Sequence, residues 1–433
     1  MAVRFFVLLT CFLSFLKAQA QETYFPPLQG SAWETVSPES LGWCTDALDS
    51  LDHFLEEKNT KAFLILKDGR IAYERYYDGF GPDSAWYWAS AGKSLAATLV
   101  GMAQEDGLLS IEDPVSQYLG AGWTSTTPDQ EAAIRIRHQL EMSTGLKTQG
   151  IDWNCLEDSC LQYYVDPGQR WFYHNAPYRL VQDVVASAAN TSFNLYTLSR
   201  LSLRTGIYGS WYNYIFFSRP RNMARFGLLI QQNGIWNGDT ILADTSYINA
   251  MTTPSQAMNP AYGYLWWLNG QESHRLPALD ISYPGELVPN APSEMYAAMG
   301  KNEQRLYIVP SEDLVIVRMG DAAGSPVFAV SAFDNELWGE LQHVFCANST
   351  AISPAKIPNL DIRLDPLTRQ LTISGIQHLT TGQLLDLRGR LMWQASFYPD
   401  TPQQLPLHLP AGIYLLKVQD QEGRMGHKKL KLY

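Results

Sequence analysis

The sequence predicts an α+β protein, in which helices flank an antiparallel sheet and form a further lobe, and a small β-sandwich follows at the C-terminus. Strand patterns occur early and again late in the first 346 residues, with mostly helical patterns between them, so we expect the early and late strands to meet in one sheet. The pattern of the last 74 or so residues is β throughout. A chain of 433 residues, 46% of them hydrophobic, is long enough for two domains.

Residues 1–20 have the three parts of a secretion signal peptide. Arg4 supplies the positive charge, Phe5 to Leu16 are apolar, and Ala18-Gln19-Ala20 offers a cleavage site between small residues. The apolar part is too short to cross a bilayer, and we predict no transmembrane span elsewhere. We therefore expect an exported protein whose mature chain begins near Gln21.

The exported chain contains four cysteines, and an even number favours disulfides in an oxidising compartment over metal binding or thiol catalysis. Cys155 and Cys160 flank a short segment with few signs of regular structure, so we predict that they pair and close that loop. The formal charge of −11 argues against a nucleic-acid partner.

The first part of residues 21–347 reads as a helix, two strands and a second helix. Apolar side chains at helical spacing predict a helix from Thr45 to Glu57. Lys61 to Tyr77 predicts two strands around the turn Lys67-Asp68-Gly69-Arg70. Ser90 to Glu105 predicts a helix with small residues for close packing, ended by Gly107.

Residues 110–290 predict mostly helices and loops rich in Trp and Tyr. Strand patterns then return at Arg305 to Val309, before Pro310, and at Leu314 to Met319. A last amphipathic helix is predicted from about Phe333 to Phe345.

The C-terminal part has its own composition. Residues 348–359 are rich in Ser, Pro and Ala and predict a linker. Residues 360–433 contain alternating apolar side chains and turn signals, which predict a small β-sandwich. They carry nine Lys and Arg against six Asp and Glu, a balance of +3 in a chain of −11, so we predict a separate domain.

Ser90-Ala91-Gly92-Lys93 places a hydroxyl and an amine one helical turn apart on one helix face. A serine becomes an effective nucleophile when a base takes its proton, and a desolvated lysine can be that base. The alternative is an N-cap serine with a solvated lysine. A second copy, Ser353-Pro354-Ala355-Lys356, falls in the linker and is attributed to chance, whereas Ser90 follows an aromatic run and opens a helix.

The second candidate group is Tyr173-His174-Asn175, preceded by Pro167-Gly168. A phenol near a lysine cation ionises more easily and can act as a general base, and Asn175 can hold that lysine by a hydrogen bond. The alternative for Tyr173 is a half-buried packing role, and His174 is expected to be structural or solvent-facing rather than catalytic.

Ser-x-x-Lys, then Pro-Gly and Tyr-x-Asn, then a late pair of strands, in this order, resembles the class C β-lactamase and serine esterase family of penicillin-binding-protein-like hydrolases. The resemblance covers roughly residues 30–346. It implies the β-lactamase/transpeptidase-like fold, Ser90 as the acylated nucleophile, Lys93 and Tyr173 as the proton-transfer pair, and Asn175 as their support. It implies no metal and no organic cofactor.

The third motif of that family, Lys or His, then Thr or Ser, then Gly, corresponds to Ala298-Met299-Gly300. Gly300 fits, and the backbone N–H groups of Ser90 and Lys301 can form an oxyanion hole without side chains. The polar residues that grip a substrate carboxylate are missing, which favours ester or amide substrates over β-lactams. Lys301 and Arg305 are either substitutes for that grip or surface charges.

The resemblance also implies a second disulfide. In this family the first and last helices lie side by side and antiparallel on one face of the sheet. Cys44 starts the first predicted helix and Cys346 ends the last, so we predict that these two cysteines pair. The alternative is two buried free thiols.

The C-terminal part resembles the sorting domain of the type IX secretion system, in 384–389, in Pro410 to Val418 and in the basic end Lys428 to Tyr433. This resemblance implies a secretion-machinery partner and a location outside, or on the surface of, a Gram-negative bacterium. The alternative is an accessory β-sandwich such as a glycan-binding module.

We therefore predict a secreted serine hydrolase that cleaves an ester or amide through a Ser90 acyl-enzyme. The alternative substrates are carboxylate-bearing, as for a β-lactamase or a D-alanyl peptidase. The alternative from another class is a non-catalytic binding protein on the same fold, although such a protein has no need of Ser90, Lys93, Tyr173 and Asn175 together.

Overall fold

The computed structural model describes residues 23–432 except 325–329, 347–356, 358–359, 366–367, 379, 387–390, 400–402, 407–408, 411 and 422–423. The predicted signal peptide, the second Ser-x-x-Lys copy and, apart from Ile357, the predicted linker lie outside the described residues. The chain divides into two compact units, and the first unit ends at Cys346. No helix among the described residues has the length and apolar character needed to cross a membrane.

The first unit is built on an antiparallel sheet with the strand order β2-β1-β13-β12-β11-β8. The described strands of this unit are β1 (Thr60–Lys67), β2 (Arg70–Tyr76), β3 (Trp86–Tyr87), β4 (Gly209–Tyr212), β5 (Ile215–Ser218), β6 (Ile235–Trp236), β7 (Asp239–Thr240), β8 (Trp267–Leu268), β9 (Ser273–Arg275), β10 (Ser282–Pro284), β11 (Tyr296–Gly300), β12 (Gln304–Val309) and β13 (Leu314–Gly320).

Helices surround this sheet and form the remainder of the unit. Those described are α1 (Leu48–Glu57), α2 (Gly92–Glu105), α3 (Ser116–Leu119), α4 (Pro128–Ala133), α5 (Ile136–Leu140), α6 (Asn175–Ala188), α7 (Phe193–Thr197), α8 (Leu203–Thr205), α9 (Pro220–Gln231), α10 (Thr245–Met251) and α11 (Ala332–Val344).

The predicted strand pair near the N-terminus is confirmed as the hairpin β1–β2. Lys67 pairs with Arg70, and the two turn residues Asp68 and Gly69 both have positive φ, as a two-residue turn between twisted strands requires. Strand β1 also pairs with β13 along its length, so the early and late strands meet in one sheet as expected.

The first and last helices of the unit pack antiparallel. Phe54, near the end of α1, stacks on Phe333 at the start of α11, and the Cys44 N–H donates to Val344 O at the other end. Cys44 and Cys346 form the predicted disulfide, with their Cα atoms 5.4 Å apart. The disulfide predicted between Cys155 and Cys160 is also present.

Helix α2 runs through the core, and most of its residues are buried. It starts two residues later than predicted, because Ala89–Ala91 form a tighter 3₁₀ turn that precedes it. Gly101 permits close packing: a Cβ there would lie 2.3 Å from the ring of Tyr247, whose hydroxyl donates to Ala97 O. The close contact with Tyr247 therefore fixes the position of α2 in the core.

The second unit is the predicted β-sandwich. Its two sheets, β14-β15-β18 and β17-β16-β19-β20, bury a common apolar core. The strands are β14 (Asp361–Leu364), β15 (Gln370–Ser374), β16 (Thr380–Asp386), β17 (Leu391–Phe397), β18 (Gln403–Pro406), β19 (Gly412–Asp420) and β20 (Met425–Leu432).

Candidate active site

Strand pairing and hydrogen bonds hold the turn that carries Ser90. Strand β3 pairs with β5, and the Trp88 backbone N–H and indole N–H donate to Phe216 O and Ser218 Oγ. Ala89 then adopts a left-handed conformation with φ of 49°, which a non-glycine residue holds only when its surroundings enforce it. Ser90 itself is half-buried at the start of the 3₁₀ turn. The aromatic run before the motif is thus the support for that turn.

Lys93 links two of the predicted site residues. Its Nζ donates to Ser90 Oγ at 2.9 Å and to Asn175 Oδ1 at 2.9 Å. The rings of Tyr173 and Tyr178 lie 4.8 and 4.1 Å from the same nitrogen, measured to their centroids. Burial holds the pKa of Lys93 well below its ordinary value, and the nearby charge of Arg179 lowers it further. The amine is therefore suited to accept the serine proton.

Tyr173 lies beside this pair, but burial raises the pKa of its phenol above the ordinary value. The neighbouring Ser90 hydroxyl opposes that rise, although the Tyr173 hydroxyl forms no hydrogen bond to any described group. The expectation that a lysine cation would ease Tyr173 ionisation is thus wrong in direction. The physical reason is that Lys93 is itself desolvated, so both groups favour their neutral forms.

Aromatic packing fixes the Tyr173 ring and its neighbour. Tyr173 stacks on Trp267, with centroids 5.7 Å apart, and meets the edge of Tyr262. His174 is buried, and neither ring nitrogen has a partner among the described residues. Burial lowers the pKa of His174 to about 4, so it is neutral at pH 7. His174 is therefore not solvent-facing, and a structural role for it stays a prediction.

Asn175 opens α6 and connects the site to the segment that directly precedes the Cys155–Cys160 disulfide. Its Oδ1 accepts from Lys93, and its Nδ2 donates to Asn154 Oδ1 at 3.1 Å. The Ala176 N–H donates to Trp153 O in the same segment. Sequence reasoning missed Asn154, since nothing in a loop pattern indicates which side chain will face the site.

Gly300 ends β11 against the Ser90 turn. A Cβ at this position would lie 2.4 Å from Trp88 O and 3.1 Å from Ser90 N, so a side chain would push the strand off the turn. The chain then turns at Lys301–Glu303 into β12, with Lys301 exposed. The strand before Gly300 was not expected from the sequence. An oxyanion hole between the Ser90 and Lys301 N–H groups remains a prediction.

Arg305 was expected to be either a substrate anchor or a surface charge, and both interpretations are wrong. It is fully buried and forms an ion pair with Asp334, whose carboxylate also accepts from the Tyr307 hydroxyl. Its Nη1 donates to Gly300 O at 2.6 Å. Arg305 is thus neither a surface charge nor a substrate anchor. It holds the end of β11 in place, a role that depends on a side chain 29 residues away in sequence.

Two further residues near Lys93 were not predicted, Tyr178 and Arg179. Both lie on α6, and Arg179 is four residues beyond Asn175, hence on the same helix face. Helical spacing from Asn175 is the signal that identifies Arg179.

Comparison with known protein families matches residues 51–202 to the β-lactamase family. An uncharacterised protein of Alkalihalophilus pseudofirmus is 25% identical over 278 residues, which cover 56% of this chain and 76% of that protein. The 6-aminohexanoate-dimer hydrolase of Paenarthrobacter ureafaciens is 38% identical over 72 residues, 17% of this chain and 18% of that enzyme.

Among solved structures, a Bacillus anthracis protein provisionally named a 6-aminohexanoate-dimer hydrolase is similar, with a TM-score of 0.55 and 16% identity. The match covers 76% of this chain and 90% of that one. The sheet order, the surrounding helices and the match over residues 51–202 agree with one another. This chain therefore has the fold of β-lactamases and penicillin-binding proteins.

Proposed function

We propose that the protein is a secreted serine hydrolase that cleaves an ester or amide through an acyl-enzyme on Ser90. The observation that carries the proposal is the position of Lys93 Nζ, which bonds Ser90 Oγ and Asn175 Oδ1 at 2.9 Å each while the side chain is buried. A scaffold protein gains nothing from burying an amine beside a half-buried serine.

The reaction follows from these contacts. Lys93 takes the Ser90 proton as Oγ attacks the carbonyl carbon, and the N–H groups of Ser90 and Lys301 bind the resulting oxyanion. The Tyr173 phenol, which burial keeps protonated, gives its proton to the leaving group and regains one from Lys93. Water then attacks the acyl-enzyme along the reverse proton path and releases the acid.

Ester and amide substrates fit this site better than β-lactams. Ala298 and Met299 are buried and offer no hydroxyl or amine to a substrate carboxylate at the positions where the family places them. Arg305 is committed to Asp334 and Gly300. We therefore propose that ester hydrolysis exceeds cephalosporin hydrolysis.

We further propose that the second unit is a type IX sorting domain that directs the protein to the surface or the surroundings of a Gram-negative cell. Support comes from the predicted signal peptide, from two disulfides, which form in oxidising compartments, and from the basic last strand β20.

The proposal is tested by assaying purified protein with short-chain p-nitrophenyl esters, amino-acid amides and a chromogenic cephalosporin. We expect ester turnover that Ser90→Ala abolishes while Ser353→Ala, in the second copy of the motif, leaves it unchanged. Turnover by Ser90→Ala would overturn the assignment of the nucleophile, and cephalosporin turnover above ester turnover would overturn the substrate preference.

A further inference from the structure

Arg179 is a half-buried cation next to the reacting groups. It lies one turn beyond Asn175 on α6, and its charge acts on buried Lys93. Its Nη1 donates to the backbone O of Asn154, at 3.3 Å, while the Asn154 side chain bonds Asn175. Arg179 and Asn175 are therefore tied to the same loop residue beside Lys93.

Most of the hydrogen-bonding capacity of Arg179 is unused. A guanidinium has five N–H donors, and the bond to Asn154 O is the single one found within the described part of the chain. The Asp152 carboxylate accepts two bonds from Asn154 and feels the Arg179 charge without an ion-pair contact, and Asp183 accepts from the Tyr214 hydroxyl. No described carboxylate forms an ion pair with Arg179.

Other buried and half-buried arginines of the unit have ionic or hydrogen-bonding partners. Arg305 and Arg221 pair with Asp334 and Glu74. Arg225 lacks a carboxylate but donates to three backbone carbonyls, and Arg318 donates to several carbonyls and to a hydroxyl. A partly desolvated cation needs such partners, because its lost hydration is otherwise uncompensated.

An aromatic ring and an exposed amide lie on either side of Arg179. The ring of Tyr214, in the turn between β4 and β5, has its centroid 6.0 Å from the guanidinium carbon. On the loop side, Asn154 is exposed. An aromatic ring, a guanidinium and an amide thus lie together beside Asn175, and this group belongs to different elements from the Ala298-Met299-Gly300 strand.

We propose that Arg179 binds a carboxylate of the substrate, so that the ester or amide cleaved at Ser90 bears a free carboxylate elsewhere in the molecule. The proposal rests on the proposed function and names its substrate class. A planar carboxylate matches the two-pronged guanidinium and supplies the direct ion pair that no described carboxylate forms. Arg179 lies on α6, so this carboxylate site differs from the one that the family places on the strand corresponding to β11.

The test uses the full-length protein and matched acyl substrates. These are mono-p-nitrophenyl esters of dicarboxylic acids with two to five methylenes, each compared with its methyl ester, which has no charge. For the best chain length, we expect kcat/KM for the acid to exceed that for the methyl ester by about 10-fold or more, mostly through KM. Arg179→Gln should reduce this ratio to about 1, and Arg179→Lys should give an intermediate value.

Arg204→Gln is the matched control, since it removes a surface arginine that pairs with Asp239, and it should keep the wild-type ratio. A wild-type ratio near or below 1 at every length, or an unchanged ratio in Arg179→Gln, would overturn the anchor while Ser90-dependent turnover upholds the proposed function. Absence of Ser90-dependent turnover with both substrate forms would overturn the proposed function and this inference with it.

Discussion

At the scale of single residues, the chemistry of the site depends on the burial of the Lys93 amine. Lys93 is 3% exposed, and because this burial lowers its pKa, its neutral form is available without a separate base. The sequence predicted which residues meet here, because the motif spacing of Ser90, Lys93, Tyr173 and Asn175 is distinctive. It could not predict the raised pKa of Tyr173, since that depends on aromatic rings from distant parts of the chain.

The roles of Lys93 and Tyr173 can be separated by the leaving group. Lys93→Ala should slow acylation by about 100-fold or more with every ester, because the serine loses its base. Tyr173→Phe should slow alkyl esters by a similar factor but p-nitrophenyl esters much less, since p-nitrophenolate leaves without a proton. Single-turnover rates measure both effects. Equal losses for both leaving groups in Tyr173→Phe would contradict its role as the acid.

His174 should make stability depend on pH. The pKa of His174 is about 4 in the folded protein, below the ordinary 6.5. Between pH 6.5 and about 4, His174 is therefore protonated in the unfolded chain but neutral in the folded one. The free energy of unfolding should therefore fall as the pH drops from 6.5 to about 4, by up to about 3 kcal/mol from this group.

Urea unfolding of His174→Gln and wild type at several pH values measures this contribution as the difference between their pH slopes. The half-buried His138, whose pKa is also lowered to about 4, is present in both proteins, so its contribution cancels. Parallel pH profiles for the two proteins would contradict a neutral, buried His174.

At the scale of elements, long periodic segments were predictable and short ones were not. The hairpin β1–β2 and helix α11 follow from alternation and helical spacing over many residues. The two-residue strands β3 and β8 have no periodicity to detect, and β11 was noticed for its motif alone. These elements place Ser90, Trp267 and Gly300, so the geometry of the site had to come from tertiary pairing.

The two disulfides should differ in how much each contributes to stability and to activity. Replacing Cys155 and Cys160 by Ser opens a short loop and should cost about 2 kcal/mol of stability, but it releases Asn154 from Asn175 and should lower kcat. Replacing Cys44 and Cys346 opens a loop of about 300 residues and should cost about 5 kcal/mol, with little change in kcat.

Thermal unfolding and initial rates at 25 °C, measured on both double variants under the same buffer conditions, test this contrast. Loss of kcat in the folded Cys44 and Cys346 variant, or an unchanged kcat in the Cys155 and Cys160 variant, would contradict the link between the short loop and the site.

At the scale of the whole molecule, the order of motifs along the chain was the most informative part of the sequence. It indicated the β-lactamase-like fold before any strand pairing was known, because few folds require these groups in this order. The C-terminal β-sandwich was predicted from alternation and from the change in charge. The composition of the sequence predicted that the first domain ends at residue 347. The structure divides the chain after Cys346.

Because each unit has its own apolar core, deleting residues 360–433 should leave ester hydrolysis intact in the purified protein. In its native host the truncated chain should be retained before the cell exterior, as expected if the second unit is a sorting signal. Cell fractionation with an activity assay measures both. Normal export of the truncated chain would contradict the sorting role, and an inactive purified truncation would contradict independent units.

The central claim is that Ser90 carries the acyl group during turnover. Intact-mass spectrometry of protein quenched in acid during hydrolysis of a slowly deacylating ester tests it most directly. We expect one added acyl mass, mapped by peptide sequencing to Ser90, and no adduct in Ser90→Ala. An adduct on another residue, or turnover without any adduct on Ser90, would contradict it.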